Sequence, residues 1–358
     1  LVFASNPAYN LPDGGAFLRA LKKIPFIVSF SPFKDETAMM ADLILPDHTC
    51  LEKIEDVVQP VGLQYPMLGL SRPVIRPVYS TRHAGDAVVA IAKALGSPVS
   101  DAFPWKGFEA ALKERVEGLV DVAGLTSYDE ATPPWEAFAR GRHVESDYKD
   151  ADELWDKLQS RGFWYRPSHK FYDWFNCFKT PSGKFELACS RIEEALKESS
   201  RRSLGIKAGG DEAVMPHYEP EGPEPAKDSL ALVPYELFNV STGWLPNPPF
   251  LTKTLFDDQL RKDESFVEMN PETAAQFGLA EGDRVRLESE SGNVEARVHL
   301  FEGAMPGCAY LPMGFGHTAY GIYQKGKGVN TMKVVTPESD PISGHKVWWR
   351  TQVKVRKA

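Results

Sequence analysis

The sequence predicts an α/β region that contains a parallel β-sheet, followed by a separate β-rich domain. Three observations support this prediction. Strand and helix signals alternate over the first hundred residues, which is typical of a parallel sheet. Residues 201–227 are rich in glycine, proline and charge, as an exposed connection requires. The last third contains runs of alternating apolar and polar residues, which indicate half-buried strands.

The elements of the α/β region follow in order. Strand signals at residues 1–4, 26–29 and 43–45 alternate with helix signals at about 13–23 and 37–41. In open parallel sheets, ligands bind beyond the carboxyl ends of the strands, where loops and helix N-termini present free N–H groups. The loops after the first two strands are therefore candidate binding loops. Taken alone, the Asn-Pro step after the first strand more often marks a plain turn, and its partnership with the loop at residues 35–37 is what favours binding.

The middle of the chain is predicted to be mainly helical. An amphipathic helix covers residues 86–95, and helical pieces follow within 104–138. Another helix covers 150–161, and its apolar stripe is interpreted as core. For the aromatic runs at 163–165 and 171–178, packing beneath a long loop is favoured over stacking on nucleotides.

A short helix between two strands is the best-defined element of the β-rich domain. Asn270 is a good N-cap, Pro271 suits the first helical position, and Glu272 complements the helix dipole. Gly278 is predicted to end the helix in the left-handed conformation. These residues place a helix immediately after a strand.

A hairpin and a series of turns follow this helix. Apolar residues at alternate positions of 285–289 and 294–300 predict two half-buried strands joined by a turn at 291–293. Clusters of glycine and proline then mark turns, at residues 303–307, 311–317, 326–330 and 340–344.

These patterns divide the chain into four parts. Residues 1–100 form part of an α/β domain, 101–200 a mainly helical extension, 201–228 a linker, and 229–358 the β-rich domain. The chain has no initiating methionine and opens inside an apolar, strand-like run. We therefore expect a fragment, a processed piece or a partly known sequence.

Composition and charge limit the classes of function. Of 358 residues, 42% are hydrophobic and 25% are charged, as in soluble globular proteins. The formal net charge of -8 argues against a nucleic-acid-binding surface, and no run reaches the ~18 apolar residues of a membrane span. The four cysteines form no C-x-x-C pair, so we interpret them as isolated thiols, with one or two disulfides as the alternative.

The order and spacing of the motifs between residues 267 and 344 resemble the molybdopterin-dinucleotide-binding domain of the dimethyl sulfoxide reductase family of molybdenum or tungsten oxidoreductases. The Asp35-Glu36-Thr37 step, followed by Ala41-Asp42 and a short Leu-Pro strand, resembles the third domain of that family. Residues 180–184, Thr-Pro-Ser-Gly-Lys, resemble the step before its last domain. The resemblance implies an α/β partial parallel-sheet domain followed by a double-psi β-barrel (molybdopterin-dinucleotide-binding) domain. It also implies that residues 1–100 are part of the α/β dinucleotide-binding domain, the third domain of the family.

The resemblance also implies a bis-(molybdopterin guanine dinucleotide) cofactor, in which two pterin–guanine dinucleotides surround Mo or W. Such a ligand requires N–H groups, hydroxyls, carboxamides and a carboxylate. The residues in the matching loops are Ser5, Asn6, Pro7, Ser29, Asp35 and Thr37 in the α/β domain, and Asn239, Ser241, Thr242, Asn247, Gly316, His317 and Asn330 in the barrel. Asp35 is the acceptor implied for guanine N–H groups. Many family members carry Arg or His in the loop that here contains Asn239, and this difference weakens the assignment of individual contacts in that loop. For His317, the alternative is a histidine that is simply solvated or that pairs with another protein group.

The resemblance places the metal ligand and the iron–sulfur cysteine cluster in segments before residue 1, so no catalytic or metal-binding residue is predicted here. We expect the C-terminal half of a catalytic subunit. Its expected partners are the N-terminal remainder, an iron–sulfur electron-transfer subunit and a membrane quinone-interacting subunit. Exposed apolar surface is expected where the absent domains dock.

Residues 316–330 are most similar to the respiratory branch that contains polysulfide and thiosulfate reductases and subunits of quinone-linked complexes. This similarity implies two-electron oxygen-atom or sulfur chemistry, with a metal-free, vestigial structural subunit as the alternative. It also implies a location in the periplasm or on the outer face of the bacterial cytoplasmic membrane, with the cytoplasm as the alternative. A hydrolase is not expected, because the chain has neither an Asp-Thr/Ser-Gly step nor a G-x-S-x-G elbow.

Overall fold

The computed structural model describes residues 1–12, 15–60, 62–63, 65–127, 145–166, 178–188, 190–196, 203–204, 206–218, 226, 228–243, 253–340 and 344–358. The chain forms two compact units. The first unit combines Leu1–Ile44 with Ser190–Ala358, and the second unit is Leu45–Cys189. The domain boundaries at residues 100, 200 and 228 stay predictions.

The N-terminal part of the first unit contains a three-stranded sheet. Its strands are β1 (Val2–Phe3), β2 (Val28–Phe30) and β3 (Leu43–Leu45), in that order. β1 and β2 are parallel, with Val2 opposite Ser29. The predicted parallel sheet is therefore present.

The helices of this part are shorter than the sequence predicts. Helix α1 covers Pro7–Asn10, directly after β1, and α2 covers Ala16–Leu21, inside the predicted span 13–23. The predicted helix at 37–41 is a single 3₁₀ turn at Ala38–Met40, because Ala41 is already extended and leads into β3.

The described residues of the second unit form an antiparallel sheet and three α-helices. The sheet has the order β4 (Glu55–Val58), β5 (Met67–Ser71) and β6 (Phe163–Tyr165). The helices are α3 (Ala84–Leu95), α4 (Phe108–Glu117) and α5 (Ala151–Arg161), and a 3₁₀ turn covers Ser100–Ala102.

Helix α5 supplies much of the core of the second unit. Asp150 caps it by accepting a hydrogen bond from the Glu153 N–H at 2.9 Å. Leu154 and Leu158 are buried and pack in one cluster with Trp164. The prediction of an apolar core stripe is confirmed. Residues 163–165 form strand β6, from which Trp164 packs into this core, and that a long loop covers them stays a prediction. Residues 171–177 of the second aromatic run lie outside the described residues.

The segment before the barrel is not purely a connection. Helix α6 covers Ser190–Ala195, and a 3₁₀ helix covers Gly210–Val214. Leu196 and Ala213 are buried. The predicted linker at 201–228 therefore carries a helical turn that buries an apolar side chain.

In the part of the C-terminal domain that the structure describes, seven strands form one sheet: β7 (Ser229–Tyr235), β8 (Leu260–Arg261), β9 (Glu264–Met269), β10 (Arg284–Glu288), β11 (Asn293–Leu300), β12 (Cys308–Pro312) and, last in the chain, Gln352–Lys357. A small ribbon, β13 (Glu338–Ser339) with β14 (Lys346–Val347), precedes the last strand, which is β15. The hydrogen-bonded order is β11-β10-β15-β7-β12-β9-β8, and β11 also pairs with β9. The six strands other than β8 therefore form a closed barrel.

Alternation and capping explain the best-predicted part of the barrel. Helix α7 (Pro271–Gln276) begins after Asn270, whose Oδ1 accepts a hydrogen bond from the Glu272 N–H at 2.9 Å. In the hairpin of β10 and β11, Val285 pairs with Ala296, and both side chains are buried. The predicted helix and half-buried hairpin are confirmed.

Large apolar side chains are exposed at several places, including Phe26, Val74, Tyr79 and Ile322. That such residues mark docking surfaces stays a prediction. Cys50 and Cys308 are free thiols, while Cys177 and Cys189 lie outside the described residues. Within the described ranges, no helix has the length and apolar character needed to cross a membrane.

Candidate functional site

Two loops of the small sheet are joined by one carboxamide in the first unit. The Asn6 Nδ2 group donates to Glu36 Oε2 at 2.7 Å. Its Oδ1 accepts from the Thr37 N–H at 3.1 Å and from the Thr37 hydroxyl at 2.9 Å. Asn6 and Thr37 are buried. The loop after β1 is therefore fixed to the loop after β2.

The Glu36 carboxylate connects these loops to the barrel. Its Oε1 atom lies 3.0 Å from His317 Nδ1 and accepts from the N–H groups of Thr318 at 2.7 Å and Ala319 at 3.1 Å. Oε2 lies 3.2 Å from the same Nδ1. One carboxylate thus receives an imidazole, two consecutive backbone amides and the Asn6 carboxamide.

This environment keeps Glu36 ionised. Burial by itself would raise the pKa of the Glu36 carboxyl, but hydrogen bonds from His317 and Asn6 outweigh burial and hold the pKa at about 2. At neutral pH, Glu36 can only accept hydrogen bonds.

His317 is enclosed by aromatic rings. Its side chain has 0% exposure. The ring stacks on Tyr9 with centroids 3.9 Å apart and meets Tyr320 edge-on at 4.8 Å. Its Nε2 atom is buried and has no hydrogen-bond partner among the described residues. A buried nitrogen left unpaired in this way calls for an explanation, and a ligand atom is one.

Tyr9 and Asn330 link the same cluster to the barrel backbone. The Tyr9 hydroxyl donates to the Phe315 carbonyl at 2.7 Å, and the Tyr9 carbonyl accepts from Asn330 Nδ2 at 2.9 Å. Asn330 Oδ1 accepts from the Met332 N–H at 2.9 Å. Burial raises the pKa of Tyr9, so its hydroxyl stays protonated.

Glycine is required where the barrel loop folds back on itself. Gly316 has φ +74°, and a Cβ at this position would collide with the backbone of Val329 and Asn330. Its N–H donates to the Lys327 carbonyl at 2.7 Å. The close approach of these two backbone segments holds the loop from Gly316 to Asn330 together.

A cavity of about 200 Å³ lies beside this cluster. Its walls combine amide, carboxylate, thioether and aromatic groups, from Tyr9, Asn10, Glu236, Met313, Gly314, Asn330 and Met332. Such a set suits a flat, polar organic group rather than a metal ion. Among the described residues, no group of three or more His, Cys, Asp and Glu is placed to hold a metal.

The structure brings together five of the predicted site residues: Asn6, Thr37, Gly316, His317 and Asn330. Of the other residues on the sheet side, Ser5 is exposed, Pro7 begins α1, and Ser29 is buried on β2.

Asp35 is buried and already engaged within its own loop. It accepts from the Ala38 N–H at 2.7 Å and from the Ser31 hydroxyl at 3.3 Å. Burial raises the pKa of this carboxyl. Its contact with guanine stays a prediction.

Asn239 bonds elsewhere, to the Thr254 carbonyl at 3.2 Å. Ser241 and Thr242 lie with it in a 3₁₀ helix at Phe238–Gly243, and Asn247 falls outside the described residues. Their contacts with the cofactor stay predictions.

Three residues of the cluster were not predicted from the sequence: Glu36, Tyr9 and Tyr320. Glu36 lies in the Asp-Glu-Thr step at residues 35–37, and the resemblance of this step to the family was the signal that could have identified it. Its partner His317 is 281 residues away in the chain, a distance at which no local pattern reports pairing.

Comparison with known proteins agrees with this architecture. Residues 251–346 match the family described as "Molydopterin dinucleotide binding domain". The chain is 32% identical to the menaquinone reductase molybdopterin-binding-like subunit of Nitratidesulfovibrio vulgaris, over 100% of this chain and 41% of that protein. It is 27% identical to the arsenate respiratory reductase molybdopterin-containing subunit of Shewanella sp. strain ANA-3, over 100% of this chain and 44% of that protein.

The fold is shared with a solved enzyme. Acetylene hydratase from Pelobacter acetylenicus superimposes with a TM-score of 0.61 at 19% identity, over 99% of this chain and 44% of that one. The chain thus spans less than half the length of these relatives. With its closed barrel, its small parallel sheet and these matches, the chain belongs to the dimethyl sulfoxide reductase family of molybdopterin oxidoreductases.

Proposed function

We propose that this chain binds a bis-(molybdopterin guanine dinucleotide) cofactor as part of a larger oxidoreductase catalytic subunit. The reaction would be respiratory two-electron oxygen-atom or sulfur chemistry. One observation carries the proposal: the buried, unpaired Nε2 atom of His317 within the cluster of loops that also borders the cavity.

The residues present fit such a group. The cavity beside Tyr9 offers the Asn10 carboxamide and the Glu236 carboxylate, which suit the N–H-rich edge of a pterin or guanine ring. When bound, the cofactor supplies a metal centre that exchanges two electrons with the substrate. The residues of this chain bind and orient it, and the packed rings of Tyr9, His317 and Tyr320 keep water from this part of the site.

The partners and location belong to the same proposal. An N-terminal remainder would carry the metal ligand and any iron–sulfur cluster, and an iron–sulfur subunit and a membrane quinone-interacting subunit would carry the electrons. Two of the relatives are named a menaquinone reductase subunit and a respiratory arsenate reductase subunit, and these names support a respiratory role. We place the protein in the periplasm or on the outer face of the cytoplasmic membrane, with the cytoplasm as the alternative.

A second function has a specific observation in its favour. The relative with 32% identity over the whole chain is named a molybdopterin-binding-like subunit. A metal-free member of the family that serves as a structural module in a quinone-linked complex would keep the same barrel and loops. The two functions differ in cofactor content.

The test is the metal, pterin and guanine nucleotide content of the assembly purified from its native source. Elemental mass spectrometry counts Mo and W, fluorescence of the oxidised pterin counts pterin, and acid hydrolysis releases GMP. About one metal atom and two dinucleotides per chain would support the enzymatic function. An intact, active assembly without any of the three would support the structural function and refute the first.

A further inference from the structure

The second unit contains a cavity of about 630 Å³ whose lining shares no residue with the candidate site. The lining residues come from the starts of α3 and α4, from α5 and from the segment before β4. We call it the α3–α4 cavity. Its volume lies within the range of roughly 300–1,000 Å³ that small-molecule sites occupy in proteins.

Hydrogen bonds fix the two helix starts that form the α3–α4 cavity. Asp86, in the first turn of α3, accepts from the Phe108 N–H at 2.7 Å and so ties α3 to the start of α4. His83 caps α3, because its Nδ1 accepts from the Gly85 N–H at 2.9 Å. The Nε2 atom of His83 lies 3.1 Å from the Ile54 carbonyl oxygen. Both nitrogens of this ring are therefore engaged, and the ring forms a fixed wall of the cavity.

The wall of the α3–α4 cavity is partly aromatic. The half-buried Phe108 ring stacks on the His83 ring with centroids 4.5 Å apart. Trp155, on α5, also lines the cavity and is 6% exposed. Such rings favour contact with another flat ring, which removes apolar surface from water. A ligand with a planar ring therefore suits this wall.

The indole N–H of Trp155 is an unused hydrogen-bond donor. In the same unit, the Trp105 N–H donates to Glu114 at 2.6 Å, and the Trp164 N–H donates to the Tyr148 hydroxyl at 2.8 Å. The Trp155 N–H has no acceptor among the described residues, although this side chain is more than nine-tenths buried. A buried indole N–H usually finds a partner. Because Trp155 lines the cavity, an oxygen of a bound ligand can supply that partner.

The charged side chains of the lining indicate the charge of the ligand. Arg82 and Lys106 line the cavity and form no ion pair with any described residue. Lys113 is a third cation, and Asp86 and Glu109 are the two carboxylates of the lining. With histidine counted as neutral, the lining is thus positive, in a chain whose formal net charge is -8. The N-cap residue of α4 offers no side-chain cap, so the free N–H groups of the first turn add positive potential.

A ring that carries an anionic group uses all of these features. An inorganic anion would pair with Arg82 and Lys106 but leave the apolar wall in contact with water. A neutral ring would cover the wall but leave both cations unpaired. A carboxylate has two oxygens, which can accept hydrogen bonds from a guanidinium, an ammonium and an indole N–H together.

We propose that the α3–α4 cavity is a binding site for a small aromatic carboxylate. The ring lies against Phe108. The carboxylate oxygens accept hydrogen bonds from Arg82, Lys106 and the Trp155 N–H. This ligand is additional to the proposed cofactor and independent of it, because no lining residue of the α3–α4 cavity belongs to the cofactor-binding loops.

The first experiment uses the Trp155 indole N–H as its reporter. The full chain is labelled with ¹⁵N-tryptophan, and the indole signals of its eight tryptophans are recorded by two-dimensional ¹H–¹⁵N NMR, with Trp155 assigned through Trp155→Phe. Benzoate is the probe. Benzamide lacks the charge, whereas acetate and inorganic phosphate lack the ring. We expect benzoate to shift the Trp155 signal saturably, with an affinity at least about tenfold above that of each comparison compound, equivalent to about 1.4 kcal/mol.

The second experiment tests the two cations with Arg82→Gln and Lys106→Gln, made singly and together. Both side chains are exposed, so the variants should fold as the wild type does, and the other indole signals check this. Each single variant should bind benzoate more weakly, and the double variant at least about tenfold more weakly. Lys93→Gln is the matched control, because Lys93 is an exposed lysine in the last turn of α3, at the other end of that helix. It should leave the benzoate affinity unchanged.

Three results would overturn the inference. The first is the absence of a saturable shift of the Trp155 signal with benzoate. The second is an affinity for benzamide, acetate or phosphate equal to that for benzoate, since the cavity would then recognise a ring or an anion alone. The third is a double variant that binds benzoate as the wild type does.

Discussion

Replacing Glu36 with glutamine should remove a defined part of the acid sensitivity of the first unit. Burial tends to raise the pKa of this carboxyl above its ordinary value of 4.5, yet hydrogen bonds from His317 and Asn6 hold the folded pKa at about 2. Because folding lowers the pKa, the ionised carboxylate stabilises the native state above pH 4.5. That stabilisation is lost as the pH falls from 4.5 towards 2.

The magnitude follows from the two pKa values. Each factor of ten in an acid dissociation constant corresponds to about 1.4 kcal/mol, so a pKa lowered from 4.5 to about 2 corresponds to about 3 kcal/mol. The Glu36 side chain is only 10% exposed, so solvent screens this contribution little. Glu36→Gln should be less stable than the wild type by about 3 kcal/mol at pH 7. The two proteins should converge near pH 2.

Urea unfolding at pH 7, 5, 4 and 3, followed by circular dichroism, measures the difference between wild type and variant. Glu264→Gln is the control. Hydrogen bonds from Arg297 and Arg284 also lower the pKa of Glu264 to about 2, but that side chain is 35% exposed, so its loss should change stability less. Parallel stability curves for the wild type and Glu36→Gln across this pH range would refute the reasoning.

Two further predictions concern stability. Gly316→Ala should lower the free energy of unfolding by at least about 2 kcal/mol more than Gly282→Ala does. Both glycines have positive φ, but only at Gly316 would a Cβ meet backbone atoms. Equal urea midpoints for the two variants would contradict this prediction. In the second unit, Asp47→Asn should cost about 3 kcal/mol by weakening the pairing of the buried Lys53, at the low end of the usual range because Glu55 stays 2.7 Å away. Thermal unfolding of this variant, followed by tryptophan fluorescence, measures the loss. An unchanged midpoint would show that the ion pair between Asp47 and Lys53 does not stabilise the second unit.

Local chemistry allowed the secondary structure of the barrel to be predicted. Helix α7 begins at the predicted cap because Asn270, Pro271 and Glu272 each act within one turn. The hairpin of β10 and β11 follows from side chains that alternate every second residue. These signals depend on residues a few positions apart, which the sequence displays directly.

The site was only partly predictable, since its key contacts join distant parts of the chain. Asn6, Thr37 and His317 were found through the resemblance to the family, whereas Glu36, which contacts His317 and accepts from the N–H groups of Thr318 and Ala319, was not selected. In the sequence, Glu36 stands next to Asp35, and two adjacent acidic residues are typical of a solvated loop. Only the fold brings His317 against Glu36. The short 3₁₀ turn at Ala38–Met40 likewise reflects the nearby start of β3 rather than helix propensity.

The position of β15 in the ring has a consequence for biosynthesis. This strand lies between β10 and β7, and its Val353 and Val355 side chains are buried. While the ribosome is still adding residues 352–357, strands β10 and β7 each have an unpaired edge. The barrel can close only after these residues emerge from the ribosome. Until then, a nascent chain that already carries the described loops of the candidate site lacks one strand of the barrel. Under the proposed function, a cofactor that needs the closed barrel would load after completion of β15, and a chaperone that shields open strand edges would act before that point.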